Sequence, residues 1–227
     1  YSLPSWASRP GVEYYYKAFD KLIMSDSLYS LKDNIFLIEN AYFDNKLDKN
    51  AFDETIKNCR TFLIDIMKER GYDLSSNTAK NYMLFQFFSE TLQLKKTKAK
   101  HLPFTYDFED YAGIKDHSKM FITKLLNTAT GQCHSMPLLY LILADEIGAK
   151  AYLALSPNHS YIRFPDDNGK WYNIELTNGM FSTTSYILQS GYIKSEALLN
   201  KIYMQNLSRK ELMAPVSYTH LTLPTKA

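Results

Sequence analysis

Apolar residues recur at helical spacing from Val12 to about Leu92, and beyond Lys150 they fall into short alternating blocks. The first stretch predicts four helices. Val12 to Met24 is one; Leu31 to Asp44, with Ser30 placed as an N-cap, is the second and carries Ile35, Phe36, Ile38 and Phe43. The third runs from Asn50 to Arg70 and stops at Gly71, a residue suited to the left-handed position after a helix. The fourth follows the cap cluster Ser75-Ser76-Asn77 and continues to about Leu92. Residues 95 to 115 read as irregular around Pro103, and a short helix is expected from Asp116 to Asn127. Met136 to Ile147 is apolar nearly all round and ends at Gly148, as a helix enclosed by its own domain should. Lys150 to Leu155 and His159 to Phe164 then read as strands. The turn Asp166-Asp167-Asn168-Gly169 joins the latter to a third strand, Lys170 to Leu176. Thr183 to Gln189 and Ser195 to Tyr203 are expected to be helical. The pattern is α+β: a helical region over 1–114, a mixed core over 115–182 with a buried helix on a small antiparallel sheet, and a helical extension over 183–215.

Composition narrows the function classes. A formal charge of +2 over 227 residues offers no basic surface for nucleic acid. The run Leu94-Lys95-Lys96-Thr97-Lys98-Ala99-Lys100-His101 is the one basic cluster and reads as a solvated loop. With 18 Tyr and 13 Phe against 8 Gly and 8 Pro, the chain has the material for a packed core. Its longest apolar run, Met136 to Ala144, is too short to span a bilayer. The chain opens at Tyr1 rather than at a methionine, so a leader would lie outside it and the compartment stays open. Val216 to Thr225 reads as the in-frame translation of a sequencing adapter, which makes 216–227 an artefactual tail and leaves the extension truncated near Pro215.

Two cysteines remain to be placed. Cys59 shares the stripe Phe52, Ile56, Leu63 and Ile66 and reads as a small core residue, whereas Cys133 stands at the mouth of the buried helix just after Gly131. Whether the two form a disulfide is open from spacing, and neither they nor the histidines have metal-ligand spacing, so no metal or other cofactor is expected. Unpaired amides at a helix start favour a thiolate and can hold an oxyanion. Pro137 clashes with the carbonyl four residues back, that of Cys133, so the first turn should be open there. His159 begins a strand after Pro157-Asn158, and Glu175 lies on the next strand of the hairpin. A nucleophile, a base and a carboxylate to orient the base make a thiol triad, Cys133, His159 and Glu175. Gln132, Asn158 and Trp171 are candidate supports, and His134, pointing away from its neighbour on the helix, belongs at most to the rim.

Gly131-Gln132-Cys133, the exit Gly148-Ala149-Lys150-Ala151, the His159 strand and Trp171-Tyr172-Asn173-Ile174-Glu175-Leu176-Thr177 together resemble the transglutaminase-like superfamily of papain-type thiol enzymes. In that family the last motif usually ends Asp-Pro-Thr, where this chain has Glu175 and Leu176 before Thr177. Ile38-Glu39-Asn40-Ala41-Tyr42-Phe43-Asp44-Asn45 is similar to the helical lead-in of the bacterial SirB1-like branch, whose members often continue into tetratricopeptide repeats. The resemblance implies a helix bearing the cysteine packed on an antiparallel sheet bearing the histidine and the acid. It also implies acyl transfer from a peptide or protein amide to water or an amine. The rival expectation is a non-catalytic scaffold that keeps the fold and engages a protein partner through the truncated C-terminal helices.

Overall fold

The helices form where periodicity and caps coincide. In the computed structural model the described residues are 12–24, 30–110, 112–156, 159–177, 180–182, 206–208 and 211–213. Helix α1 spans Val12–Met24, α2 Leu31–Tyr42, α3 Lys49–Glu69 and α4 Asn77–Ser89. Ser30 Oγ accepts the Asp33 amide, Asp48 Oδ1 those of Asn50 and Ala51, and Ser76 Oγ that of Ala79, so three of the four starts are closed by a side chain that only a non-helical residue can offer. Helix α3 ends where Gly71 turns to φ 69°.

Helix α4 stops three residues before the expected Leu92. Leu92 and Leu94 are buried while Gln93 is exposed, a period of two, and β1 (Leu92–Gln93) pairs with β2 (Lys100–His101). Two more short strands, β3 (Thr105–Tyr106) and β4 (Thr130–Gly131), lie parallel. The helix expected over Asp116 to Asn127 is two pieces, a 3-10 turn at His117–Met120 and α5 at Ile122–Thr128. Helix α6, Ser135–Ile147, buries eleven of its thirteen residues and ends at Gly148 with φ 65°. Strands β5 (Tyr152–Ser156), β6 (His159–Pro165), β7 (Trp171–Glu175) and β8 (Met180–Ser182) form an antiparallel meander in that order. Sequence reasoning passed over β8, although Asn178-Gly179 is a strong hairpin dipeptide. The helices expected at Thr183 to Gln189 and Ser195 to Tyr203 lie outside the described residues, as does the sequence read as an adapter tail.

The class is α+β, and the two regions share one core. Ile35, Ile56 and Leu84 from the helical region pack in the same cluster as Leu139 of α6 and Ile162 and Ile174 of the sheet. Residue 114 therefore marks a change of pattern rather than a gap in packing. Each buried leucine or isoleucine contributes about 1.5–3 kcal/mol, so the N-terminal helices are a structural half of the fold. Among the described residues no helix is long and apolar enough to cross a membrane.

The β6–β7 hairpin is pinned at its turn. Asp167 accepts the Asn77 amide at 2.7 Å and the Ser76 hydroxyl, and Asn77 in turn bridges Lys150 and Pro165 through contacts of 2.7 Å and 2.6 Å. The start of α4 thus fixes the far end of the hairpin, so that only its other end remains to be placed against α6.

Candidate functional site: a cysteine, histidine and glutamate at a helix mouth

Pro137 brings the site together. Lacking an N–H, it gives no partner to the carbonyl of Cys133. The Ser160 hydroxyl donates to that carbonyl instead. Because Ser160 follows His159 on β6, this bond ties the strand end to the helix mouth and sets the imidazole beside the thiol. Ser160 is a positioning residue that sequence reasoning missed; its signal was a serine next to the candidate base, with a proline four residues after the candidate nucleophile.

The imidazole of His159 hydrogen-bonds both the Cys133 side chain and Glu175, the latter through Nε2. Glu175 is itself oriented. Its second oxygen, Oε1, accepts from the Thr177 hydroxyl at 2.9 Å and from the Thr177 amide at 3.3 Å. Thr177 closes the sequence motif, and its role needed only the two-residue offset that lets a side chain bond back to a carboxylate. Glu175 follows Ile174, so continuing the Ile162↔Ile174 register by one step sets it opposite Tyr161 and diagonal to His159. A glutamate reaches the ring across that diagonal.

Burial alone would disfavour an imidazolium at His159, but the hydrogen bonds to Cys133 and Glu175 and their negative charge outweigh it, raising the ring from 6.5 to about 10. A value raised on folding means that protonation favours the folded state. That contribution is complete below about 6.5 and lost as pH rises through about 10. The urea midpoint of the wild type should therefore exceed that of His159→Gln most at about pH 6, and the gap should close by about pH 11. A gap independent of pH would show that the ring carries no charge in the fold.

Gln132 is fully buried and works on the helix rather than on a substrate. Its Oε1 accepts the amides of Ser135 at 2.8 Å and His134 at 3.3 Å, and its main-chain carbonyl takes that of Met136 at 3.1 Å. Its Nε2 donates to the Lys119 carbonyl at 3.0 Å. The sequence suggested a helix start with several open donors; the glutamine closes those of His134 and Ser135. Gly131 is required by close approach, since a Cβ there would meet Ser135 Oγ at 2.7 Å and Leu125 Cδ1 at 2.9 Å.

The other expected members divide. Asn158 lies outside the described residues. Trp171 is a correction: it pairs with Pro165 at the turn end of the hairpin, four residues and about 13 Å along the strand from Glu175. There it is 39% exposed, packs on Tyr152 and lies under the Arg163 guanidinium at 5.2 Å. Its place in the motif reflects hairpin packing. Tyr161, by contrast, lies between His159 and Arg163 on the same face of the strand, opposite Glu175, and is 1% exposed. Burial pushes its hydroxyl up to about 12, with Arg163 pulling down and the Glu175 charge pushing further up.

Cys59 and Cys133 are both free thiols. Cys59 sits in the α3 face that meets the core, and burial pushes its thiol up to about 11 against a lowering backbone hydrogen bond. A thiol held protonated by burial is a poor nucleophile near neutral pH.

Comparison with protein-family profiles, with curated proteins and with solved structures finds no match to this chain.

Proposed function

We propose that this chain is a cysteine-dependent acyl-transfer enzyme of the transglutaminase-like kind, acting on a peptide or protein amide. The observation that carries the reading is one imidazole hydrogen-bonded to a thiol on one side and to an oriented carboxylate on the other. The Cys133 thiolate attacks the substrate carbonyl, and the resulting oxyanion is met by the Cys133 amide. Collapse expels the amine, which takes its proton from the His159 imidazolium and leaves a thioester on Cys133. Water or an acceptor amine then gives a proton back to His159 as it attacks the thioester, and the free thiolate returns. Glu175 stabilises the imidazolium through both halves of the cycle and holds the ring in one orientation. The residues in this cycle supply every proton movement, so no cofactor is assigned to it.

An acyl donor with a good leaving group tests this without knowledge of the natural substrate. p-Nitrophenyl acetate should release a burst of p-nitrophenolate equal to the enzyme present, and peptide mapping should find the acetyl group on Cys133. Acetylation of Cys59 at an equal rate, or of lysines alone, would overturn the reading in favour of a scaffold.

A further inference from the structure

Among the described residues two tyrosines are fully buried, and they are treated differently. Tyr140, in α6, donates its hydroxyl to Asn81, at 2.9 Å from Oδ1 and 3.1 Å from the carbonyl. The Tyr161 hydroxyl is enclosed with no hydrogen-bond partner in the protein. An enclosed hydroxyl in that state destabilises the fold, whereas phenylalanine would fill the same space with the same ring. Packing therefore accounts for the ring of Tyr161 and leaves its oxygen to be explained.

The sheet register gives that oxygen a neighbour. Tyr161 pairs with Ala154 of β5 on one side and stands opposite Glu175 of β7 on the other, so the row across the sheet offers it a methyl group and the acid of the triad. Directly opposite residues on antiparallel strands have Cβ atoms about 4.5–5.5 Å apart. Of the roughly four lone-pair sites of the carboxylate, His159 and the hydroxyl and amide of Thr177 take three, which leaves one on Oε2. Burial, opposed by Arg163 and reinforced by the Glu175 charge, keeps the phenol protonated, so Tyr161 is a donor within the field of that carboxylate. No direct bond joins the two. A water between them spans such a contact nearly as well as a direct bond.

We propose that Tyr161 is a positioning residue of the triad, its hydroxyl donating across one water to the Glu175 carboxylate and holding that acid ionised beside His159. This rests on the acyl-transfer reading and adds how its acid is tuned: a supported carboxylate favours the imidazolium, and the imidazolium favours the thiolate.

Tyr161→Phe removes the oxygen alone. Its Cys133 should react with iodoacetamide about fivefold more slowly than wild type at pH 6 and equally fast by about pH 10, where the thiol ionises without help. The groups that set this window are Cys133, His159, Glu175 and Arg163. The urea midpoint should stay at or above that of the wild type, which separates a slower thiol from a damaged fold. In a Glu175→Gln background the same change should have no further effect, because the hydroxyl acts only through the acid. An unchanged rate at pH 6, an equal loss at every pH, or the full fivefold loss persisting in Glu175→Gln would each overturn the role of Tyr161 while leaving the triad standing. Iodoacetamide reacting no faster at Cys133 than at Cys59 in the wild type would overturn the triad and this role with it.

Discussion

His159→Ala is expected to slow carboxamidomethylation of Cys133 by about 100-fold near neutral pH, the lower end of what a positioned acid or base contributes. The reason lies in three charges. In the proposed mechanism thiolate, imidazolium and carboxylate alternate in sign, and the direction of the His159 shift is that of this attraction. With the ring removed, the sulfur faces the Glu175 carboxylate directly, and ionising it puts two like charges in a half-enclosed space. Cys59 serves as an internal control in the same digest, because its buried thiol has no imidazole partner and its rate should not change. Glu175→Gln should fall between the two proteins, since an amide still bonds the ring but supplies no charge. An unchanged Cys133 rate in His159→Ala would remove the base from the mechanism and leave a cysteine that merely packs.

Glu39→Ala is expected to lower the unfolding free energy by about 3 kcal/mol, a large share of the 5–15 kcal/mol that holds a typical domain. Glu39 is fully buried in α2, and its two oxygens accept the amides of Ile122 at 2.7 Å and Thr123 at 2.9 Å, the first two residues of α5. Phe121 occupies the cap position of α5 and has no side-chain acceptor, so the glutamate is the cap, delivered from 83 residues earlier. Removing it strands one buried and one half-buried donor at the positive end of a helix, a costly loss for a hydrogen bond. Glu39→Gln keeps one acceptor and should recover about half the loss. Urea denaturation measures both. Because α5 runs directly into β4 and then Cys133, Glu39→Ala should also loosen the site; a variant of wild-type stability would show that water replaces the cap at no cost.

Much of the element list was legible because local rules governed it. Ser30, Gly71, Gly148 and the Asp166 to Gly169 turn act within a few residues of themselves, so their signals survive any tertiary arrangement. The split of Asp116 to Asn127 was not legible, because the cap that begins α5 comes from another helix. The end of α4 at Ser89 was decided by a partner strand, Lys100–His101, whose pairing no local count of Leu92 and Leu94 could foresee. Trp171 was misplaced for a related reason: a motif is contiguous in sequence, but a strand carries its first and last residues to opposite ends of a sheet.

By itself the sequence determined which residue types had the chemistry, namely a thiol outside the apolar stripe, a histidine at a strand start and an acid on the next strand. It also determined, through Pro137, that the Cys133 carbonyl must find a partner outside its own helix. Only the tertiary structure decided what that partner was. Ser160 answers it, Thr177 aims the acid, Gln132 closes the helix start, and Glu39 holds the helix that leads to the cysteine. Ser160 and Glu39 act through hydrogen bonds formed across packed elements, whose cost or benefit exists only once water has been excluded from between them, whereas Thr177 and Gln132 bond residues two and three positions away and needed the fold only to bring the imidazole and the Lys119 carbonyl to them.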